Sequence, residues 1–247
     1  MTNATDRTER RSMRQLLAAA GELAHRNRRI AIVAVCAIVF VALLEDVLEG
    51  DLMRIDQAAY LIMVQTLRSE QLTPFMEAFS ALATPVSLIA FLLMIAAFAP
   101  GRRPGACCAL NLVLVVALNQ TLKFLIQRPR PEGFALAAET GFSFPSGHSM
   151  AAMAFFGLLV WIVWHYKRDR AMRWMCAGAF SLIIVLIGLS RIYLGVHYAS
   201  DVIGGFCVSL AWLALYTHLV APLFLGEIPR RETASKDAPS ARKTGLP

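Results

Sequence analysis

Charged residues are scarce in this chain, 17% of 247 positions against about 25% in ordinary soluble domains. With 57% of positions hydrophobic, a conventional soluble fold is excluded. Cysteine is too sparse to build a framework. Cys36, Cys107, Cys108, Cys176 and Cys207 contain no pair at two-residue spacing, which removes zinc and thioredoxin-type chemistry. All five fall in apolar runs and read as small packing residues. An alternating apolar and polar pattern is also missing, which excludes a membrane barrel, and no internal repeat is present.

What the chain does have is long hydrophobic stretches. Six runs, 30–48, 82–99, 105–125, 149–166, 174–194 and 202–225, approach the roughly 20 residues needed to cross a hydrocarbon core. Each predicts a helix, because a segment exposed to lipid must satisfy its own backbone hydrogen bonds. The expected fold class is therefore all-α, a bundle of six transmembrane helices. The first run meets Glu45 and Asp46 near its end and the second carries Thr84-Pro85 near its start; tilt or helix packing accommodates both. In segment 55–67, Ile55, Ala58, Ala59, Ile62 and Met63 recur at helical spacing, with Asp56, Gln57 and Arg68 off that face, the pattern of a helix lying on the outer membrane surface. Three regions follow: a basic tail at 1–29, a six-span unit at 30–225, and a polar tail at 226–247 that lacks apolar periodicity and is expected to be disordered.

The net charge of +7 matters through its distribution. Arg7, Arg10, Arg11, Arg14, Arg26, Arg28 and Arg29 precede the first span. Arg102 and Arg103 follow the second, Lys167, Arg168, Arg170 and Arg173 follow the fourth, and Arg230, Arg231 and Lys236 follow the sixth. The positive-inside rule places these alternate segments, and both termini, in the cytoplasm. The acidic connection with Glu45, Asp46, Glu49, Asp51 and Asp56 then lies outside. Topology accounts for the basic charge, so no nucleic-acid partner is expected. The amino-terminal charged region is too long for a cleaved signal peptide, and its apolar run ends without a small-residue cleavage site, so a retained anchor in the inner membrane is expected.

Three polar clusters interrupt the apolar background. The first is Lys123 with Arg130-Pro131, the second Pro145-Ser146-Gly147-His148, the third Ser190-Arg191 with His197 and Asp201. On the expected topology all three fall at the outer face, although none of their residues entered the charge count. In Arg128-Pro129-Arg130-Pro131 the prolines hold both arginines extended. A guanidinium offers two hydrogen bonds to one phosphate, an ammonium a point charge. Arg128 alone reads equally well as a cation reaching for the interface. Ser146 can cap the next helix, and a helix start with a glycine is an anion site to which His148 points. Gly195 can release the chain after Arg191, and His197 precedes Asp201 by four residues. A carboxylate that accepts from one ring nitrogen leaves the other nucleophilic. Zinc on His148, His197 and Asp201 would be repelled by Lys123, Arg130 and Arg191, so no metal is expected. His165 and His218 lack such company and read as interfacial or packing residues.

Lys123-x6-Arg130-Pro131, Pro145-Ser146-Gly147-His148 and Ser190-Arg191-x5-His197-x3-Asp201 together resemble the complete signature of the type 2 phosphatidic acid phosphatase superfamily. That superfamily includes membrane lipid phosphate phosphatases, secreted acid phosphatases and vanadium haloperoxidases, and the six spans resemble the lipid branch. The resemblance implies that His197 attacks phosphorus, Asp201 orients it and His148 protonates the leaving oxygen. It further implies that Lys123, Arg130, Ser146, Gly147 and Arg191 bind phosphoryl oxygens and that no cofactor is required. The expected substrate is a membrane lipid phosphate or diphosphate: polyprenyl diphosphate, phosphatidic acid, phosphatidylglycerophosphate or a lipid A phosphate. A lipid phosphotransferase using the same phosphohistidine is the rival, and a transporter or scaffold gives no reason for the spacing.

Overall fold

The computed structural model describes residues 27–50, 53–99, 103–167 and 169–226. Apart from residues 27–29 and 226, the two tails expected from the sequence lie outside these described residues. The chain folds as helices in the order α1 (Arg28–Glu49), α2 (Arg54–Tyr60), a π-helical turn (Leu61–Thr66), α3 (Thr73–Ala81), α4 (Pro85–Phe98), α5 (Arg103–Ile126), α6 (Gly147–Tyr166), α7 (Arg170–Tyr193), α8 (Ala199–Leu219) and α9 (Ala221–Leu225). Among the described residues, α1, α5, α6, α7 and α8 are each long and apolar enough to cross a membrane. The pair α3 and α4, bent by 54°, makes a sixth span if taken together.

That bend corrects the second predicted run. Residues 82–84 form a turn that separates α3 from α4, so the helix within this run starts only at Pro85, with the Thr84 hydroxyl accepting from the Ser87 amide at 3.5 Å, and α3 is needed to complete the span. Proline suits the first helical position, where its missing N–H has no intrahelical partner to lose. The sixth run is also divided, since α8 begins at Ala199, ends at Leu219 and is followed by the short α9. Segment 55–67 is helical as expected, but Asp56, placed off its apolar face by periodicity, is buried at 3% exposure.

Helix α6 forms the centre, packing against α7, α8 and α5, while α1 covers α8 and α3 lies against α7. Its buried face of Met150, Ala151, Ala152, Ala154, Phe155 and Leu158 meets Cys107, Cys108 and Val115 of α5 and Ile187 of α7. Lipid provides little hydrophobic drive between helices, so close packing and interhelical hydrogen bonds carry the association. Asn111 donates to the Ala154 carbonyl at 2.8 Å and accepts from the Trp212 indole at 2.9 Å; the Tyr216 hydroxyl donates to the Cys107 carbonyl at 2.7 Å. Close approach is required at Gly204, where a Cβ would come within 2.8 Å of the Phe144 ring.

The bundle has two chemically different ends. At one, Arg29 donates to His218 at 2.7 Å, Arg173 stacks over Trp164, and His165 contacts the Trp161 carbonyl. At the other, the last turn of α7, the start of α8 and the segment 127–146 converge around His197.

Candidate active site

Helix geometry explains why the three clusters meet. Arg191 sits on the last turn of α7, and Gly195, with φ +72, turns the chain where an L side chain would be strained. The chain then re-enters as α8, whose N-terminal turn carries Asp201. The backbone amide of Ser146 donates to the Asp201 carbonyl at 3.0 Å, which joins the start of α6 to the start of α8. The Ser143 amide donates to the Arg128 carbonyl at 2.8 Å, which joins the two ends of the intervening loop.

His197 is almost fully enclosed and its two nitrogens have different company. Nδ1 lies 3.3 Å from Asp201 Oδ2 and 3.2 Å from Ser143 Oγ, while Nε2 receives Arg130 Nη1 at 3.3 Å. Arginine can only donate, so Nε2 holds a lone pair and the ring proton is on Nδ1, directed at Asp201. Asp201 Oδ2 also accepts from Ser143 Oγ at 2.5 Å and from the Tyr198 amide at 2.8 Å, and Oδ1 accepts from Arg128 at 2.7 Å. Burial pushes the His197 imidazole down to about 4; the Asp201 hydrogen bond and charge oppose this, and Arg130 and Arg191 reinforce it. At neutral pH the ring is uncharged.

A groove of about 760 Å³ opens in front of His197. Lys123, Arg130, Glu139, Gly147, His148 and His197 line its polar end, and Leu88, Leu112, Val116 and Phe124 continue it between α4 and α5. Loop 139–142 wraps over the cations. Lys123 donates to the Phe142 carbonyl at 2.6 Å, and Arg130 donates to the Gly141 and Thr140 carbonyls at 3.0 and 3.1 Å. Arg191 does not line the groove; its guanidinium pairs with Glu139 and Ser80, and its buried Nε has no partner among the described residues. Ser146 also stays out of the groove. Fully buried, its hydroxyl accepts from the Ser149 amide at 3.4 Å and so caps α6 as expected, leaving the Gly147 and His148 amides at the groove. The Glu139 carboxyl is raised by burial but held below its ordinary range on balance by Arg191, His148 and Arg130.

Residues 104–224 match the PAP2 superfamily, the type 2 phosphatidic acid phosphatases whose signature the three clusters resemble. The chain belongs to the PAP2 superfamily. It is 43% identical over 97 residues to phosphatidylglycerophosphatase B of Bacillus subtilis, covering 38% of this chain and 46% of that protein. It is 32% identical over 126 residues to a lipid A 1-phosphatase of Rhizobium johnstonii, 47% of each chain. The chain thus spans about half the length of these curated relatives. The crystal structure of a transmembrane PAP2 type phosphatidylglycerolphosphate phosphatase from Bacillus subtilis superposes with a TM-score of 0.63 at 29% identity, covering 77% of this chain and 94% of that one. The transmembrane PAP2 fold is therefore present here.

Several residues of this candidate site carry no signal in the sequence that singles them out. Ser143, Ser200 and Ser80 carry no periodic or motif signal, and the periodicity of segment 55–67 places Asp56 on the side away from its apolar face. Glu139 had one available, an acidic residue in a loop facing three cations. Arg128 is not an interface cation: it is buried, bonded to Asp201 and Asp56, and stacked 4.1 Å over the Tyr198 ring.

Proposed function

We propose that this chain is an integral-membrane lipid phosphate or diphosphate phosphatase acting through a phosphohistidine on His197. The observation that carries this reading is His197, with Arg130 Nη1 3.3 Å from its Nε2, lining a groove whose head holds Lys123 and Arg130 and whose body is apolar. A phosphoryl group at the head would leave its acyl or prenyl tail against Leu112, Val116 and Phe124. The relatives named for phosphatidylglycerophosphate and lipid A support a lipid phosphate as substrate class.

In this mechanism Nε2 of His197 attacks phosphorus as the bond to the lipid oxygen breaks, and His148 supplies the proton to that oxygen. Nδ1 keeps its proton, so the phosphorylated ring is cationic and Asp201 stabilises it. Water then attacks phosphorus, the P–N bond breaks, His148 takes the water proton, and inorganic phosphate leaves. Lys123, Arg130, Arg191 and the Gly147 and His148 amides stabilise charge on the equatorial oxygens, and Ser146 acts by holding the helix start that presents those amides. We further propose that residues 30–225 form the catalytic unit in the inner membrane, with the His197 end outside.

Phosphate release from a panel of lipid phosphates by detergent-purified protein tests the reading. Release from at least one lipid, unaffected by chelator, inhibited by vanadate and reduced about 10⁴-fold in His197→Asn, is expected. Undiminished release by folded His197→Asn would refute the nucleophile. Transfer of label to a second lipid without free phosphate would make the enzyme a phosphotransferase.

A further inference from the structure

One buried ion pair behind the site has no part in the chemistry above. Arg128 Nη2 lies 3.0 Å from Asp56 Oδ2, and neither side chain is more than 7% exposed. Taking two charges out of water costs several kcal/mol each unless hydrogen bonds satisfy the rest of both groups, so such a pair calls for a reason. Simple docking of α2 onto α8 would be met by apolar side chains, which Ile192, Ala199, Val202, Ala59 and Met63 already supply nearby.

The pair is aimed at Asp201. Arg128 Nη1 donates to Asp201 Oδ1 at 2.7 Å, the oxygen that does not face His197, and to Ser200 Oγ at 2.7 Å. Asp56 Oδ1 accepts from the Ser200 amide at 2.8 Å and Oδ2 accepts from the Ser200 hydroxyl at 2.7 Å. Asp56 therefore grips both the cation on Asp201 and the backbone of the preceding residue. With Oδ2 held by Ser143 and the Tyr198 amide and Oδ1 held by Arg128, the carboxylate plane cannot rotate. We propose that Asp56 and Arg128 are positioning residues of the reaction, a buried Asp56–Arg128–Asp201 chain that fixes the orientation and basicity of His197. The chain acts electrostatically as well. Arg128 offsets the charge of Asp201, which keeps that carboxylate an acceptor of the Nδ1 proton, and Asp56 returns one negative charge.

This inference rests on His197 being the nucleophile, and the test separates the two. Asp56→Asn, Arg128→Lys and Arg128→Gln are assayed for kcat, KM and the pH dependence of kcat/KM on whichever lipid phosphate the wild type hydrolyses. His197→Asn is run beside them. The groups facing His197 that stay unchanged are Asp201 on α8, Arg130 in the loop, Arg191 on α7 and His148 on α6. Expected are a kcat about 10- to 100-fold lower in all three variants and a KM within about threefold of wild type. The acid limb should move down in Asp56→Asn, which removes a negative charge near His197, and up in Arg128→Gln, which removes a positive one. Size-exclusion profiles and melting curves establish folding, and if Arg128→Gln does not fold, the near-isosteric Asp56→Asn decides by its kcat and its downward limb. Wild-type kcat in the folded variants, or acid limbs that do not separate, would overturn the inference. Should His197→Asn still turn over, the proposed function fails first; if it is inactive while Asp56→Asn and Arg128→Lys match wild type, the function stands and only this inference falls.

Discussion

The Glu139 carboxylate pairs with the Arg191 guanidinium, and only Glu139 of the two lines the groove. Glu139 also approaches Arg130 at 3.6 Å. A carboxylate thus engages two cations proposed for the phosphoryl group, the Gly141 and Thr140 carbonyls accept from Arg130, and the Phe142 carbonyl accepts from Lys123. On the proposed function, substrate must replace these contacts before its phosphate can be held.

Glu139→Gln should therefore tighten binding. The Glu139 side chain is 25% exposed, and a partly solvated ion pair is worth about 1 kcal/mol, or roughly fivefold in an equilibrium. KM and the vanadate inhibition constant should fall by about that factor with kcat within about twofold. Steady-state kinetics with and without vanadate measure both, and a rise in KM would mean that Glu139 holds the cations in place for substrate.

His197 sets a second expectation, for pH. Its folded-state value is lowered to about 4, chiefly by burial, from an unfolded value near 6.5. The neutral ring that the proposed attack requires thus persists down to about pH 4, and the acid limb of kcat/KM should lie there once the lipid's own titration is taken into account. The stability sign follows from the same shift: the contribution is complete above about pH 6.5 and is lost as pH falls toward 4, because the unfolded chain binds the proton first. Melting temperature should decline over that interval in wild type and decline less in His197→Asn, which has no imidazole to protonate. An acid limb near 6.5 would show a solvated His197.

Much of the site was legible because its residues sit at fixed spacings on helix ends. Lys123, Arg130, His148 and His197 share one groove, as their motifs implied. What was missed depended on distant partners. Asp56 fell off the apolar stripe of its helix and counted as an outer-loop charge, yet its partner Arg128 lies 72 residues away and draws it inside. The break between α3 and α4 was hidden because Leu82 and Ala83 continue the hydrophobic run; only Thr84-Pro85 marked it. Ser146 carried two meanings, helix cap and anion ligand, and its burial assigns its hydroxyl to the cap.

Topology yields a third expectation. The arginine-rich end at Arg29 and Arg173 and the His197 end are at opposite poles of the bundle. Cationic ends remain in the cytoplasm, so the site should face outward. In an otherwise cysteine-free chain, a membrane-impermeant thiol reagent should label Glu132→Cys in cells with a permeabilised outer envelope and leave Arg170→Cys unlabelled. The reverse pattern would put the reaction on the cytoplasmic leaflet.

Arg191 provides the most demanding substitution. Its guanidinium reaches Ser80 through Nη1 and Glu139 through Nη2, and its Nε has no partner among the described residues, at only 2% exposure. Lysine preserves the charge but has one nitrogen where three diverge in a plane, so it cannot hold Ser80 and a phosphoryl oxygen together. Arg191→Lys should lower kcat/KM by about 10²-fold, the scale of losing one preorganised donor to the transition state. If the loss reflects phosphoryl contact, Glu139→Gln should no longer improve KM in the Arg191→Lys background, because the competition that Glu139 imposes has lost its main object. Additive effects in that double-mutant cycle would mean that Arg191 supports the fold through Ser80 and does not bind substrate.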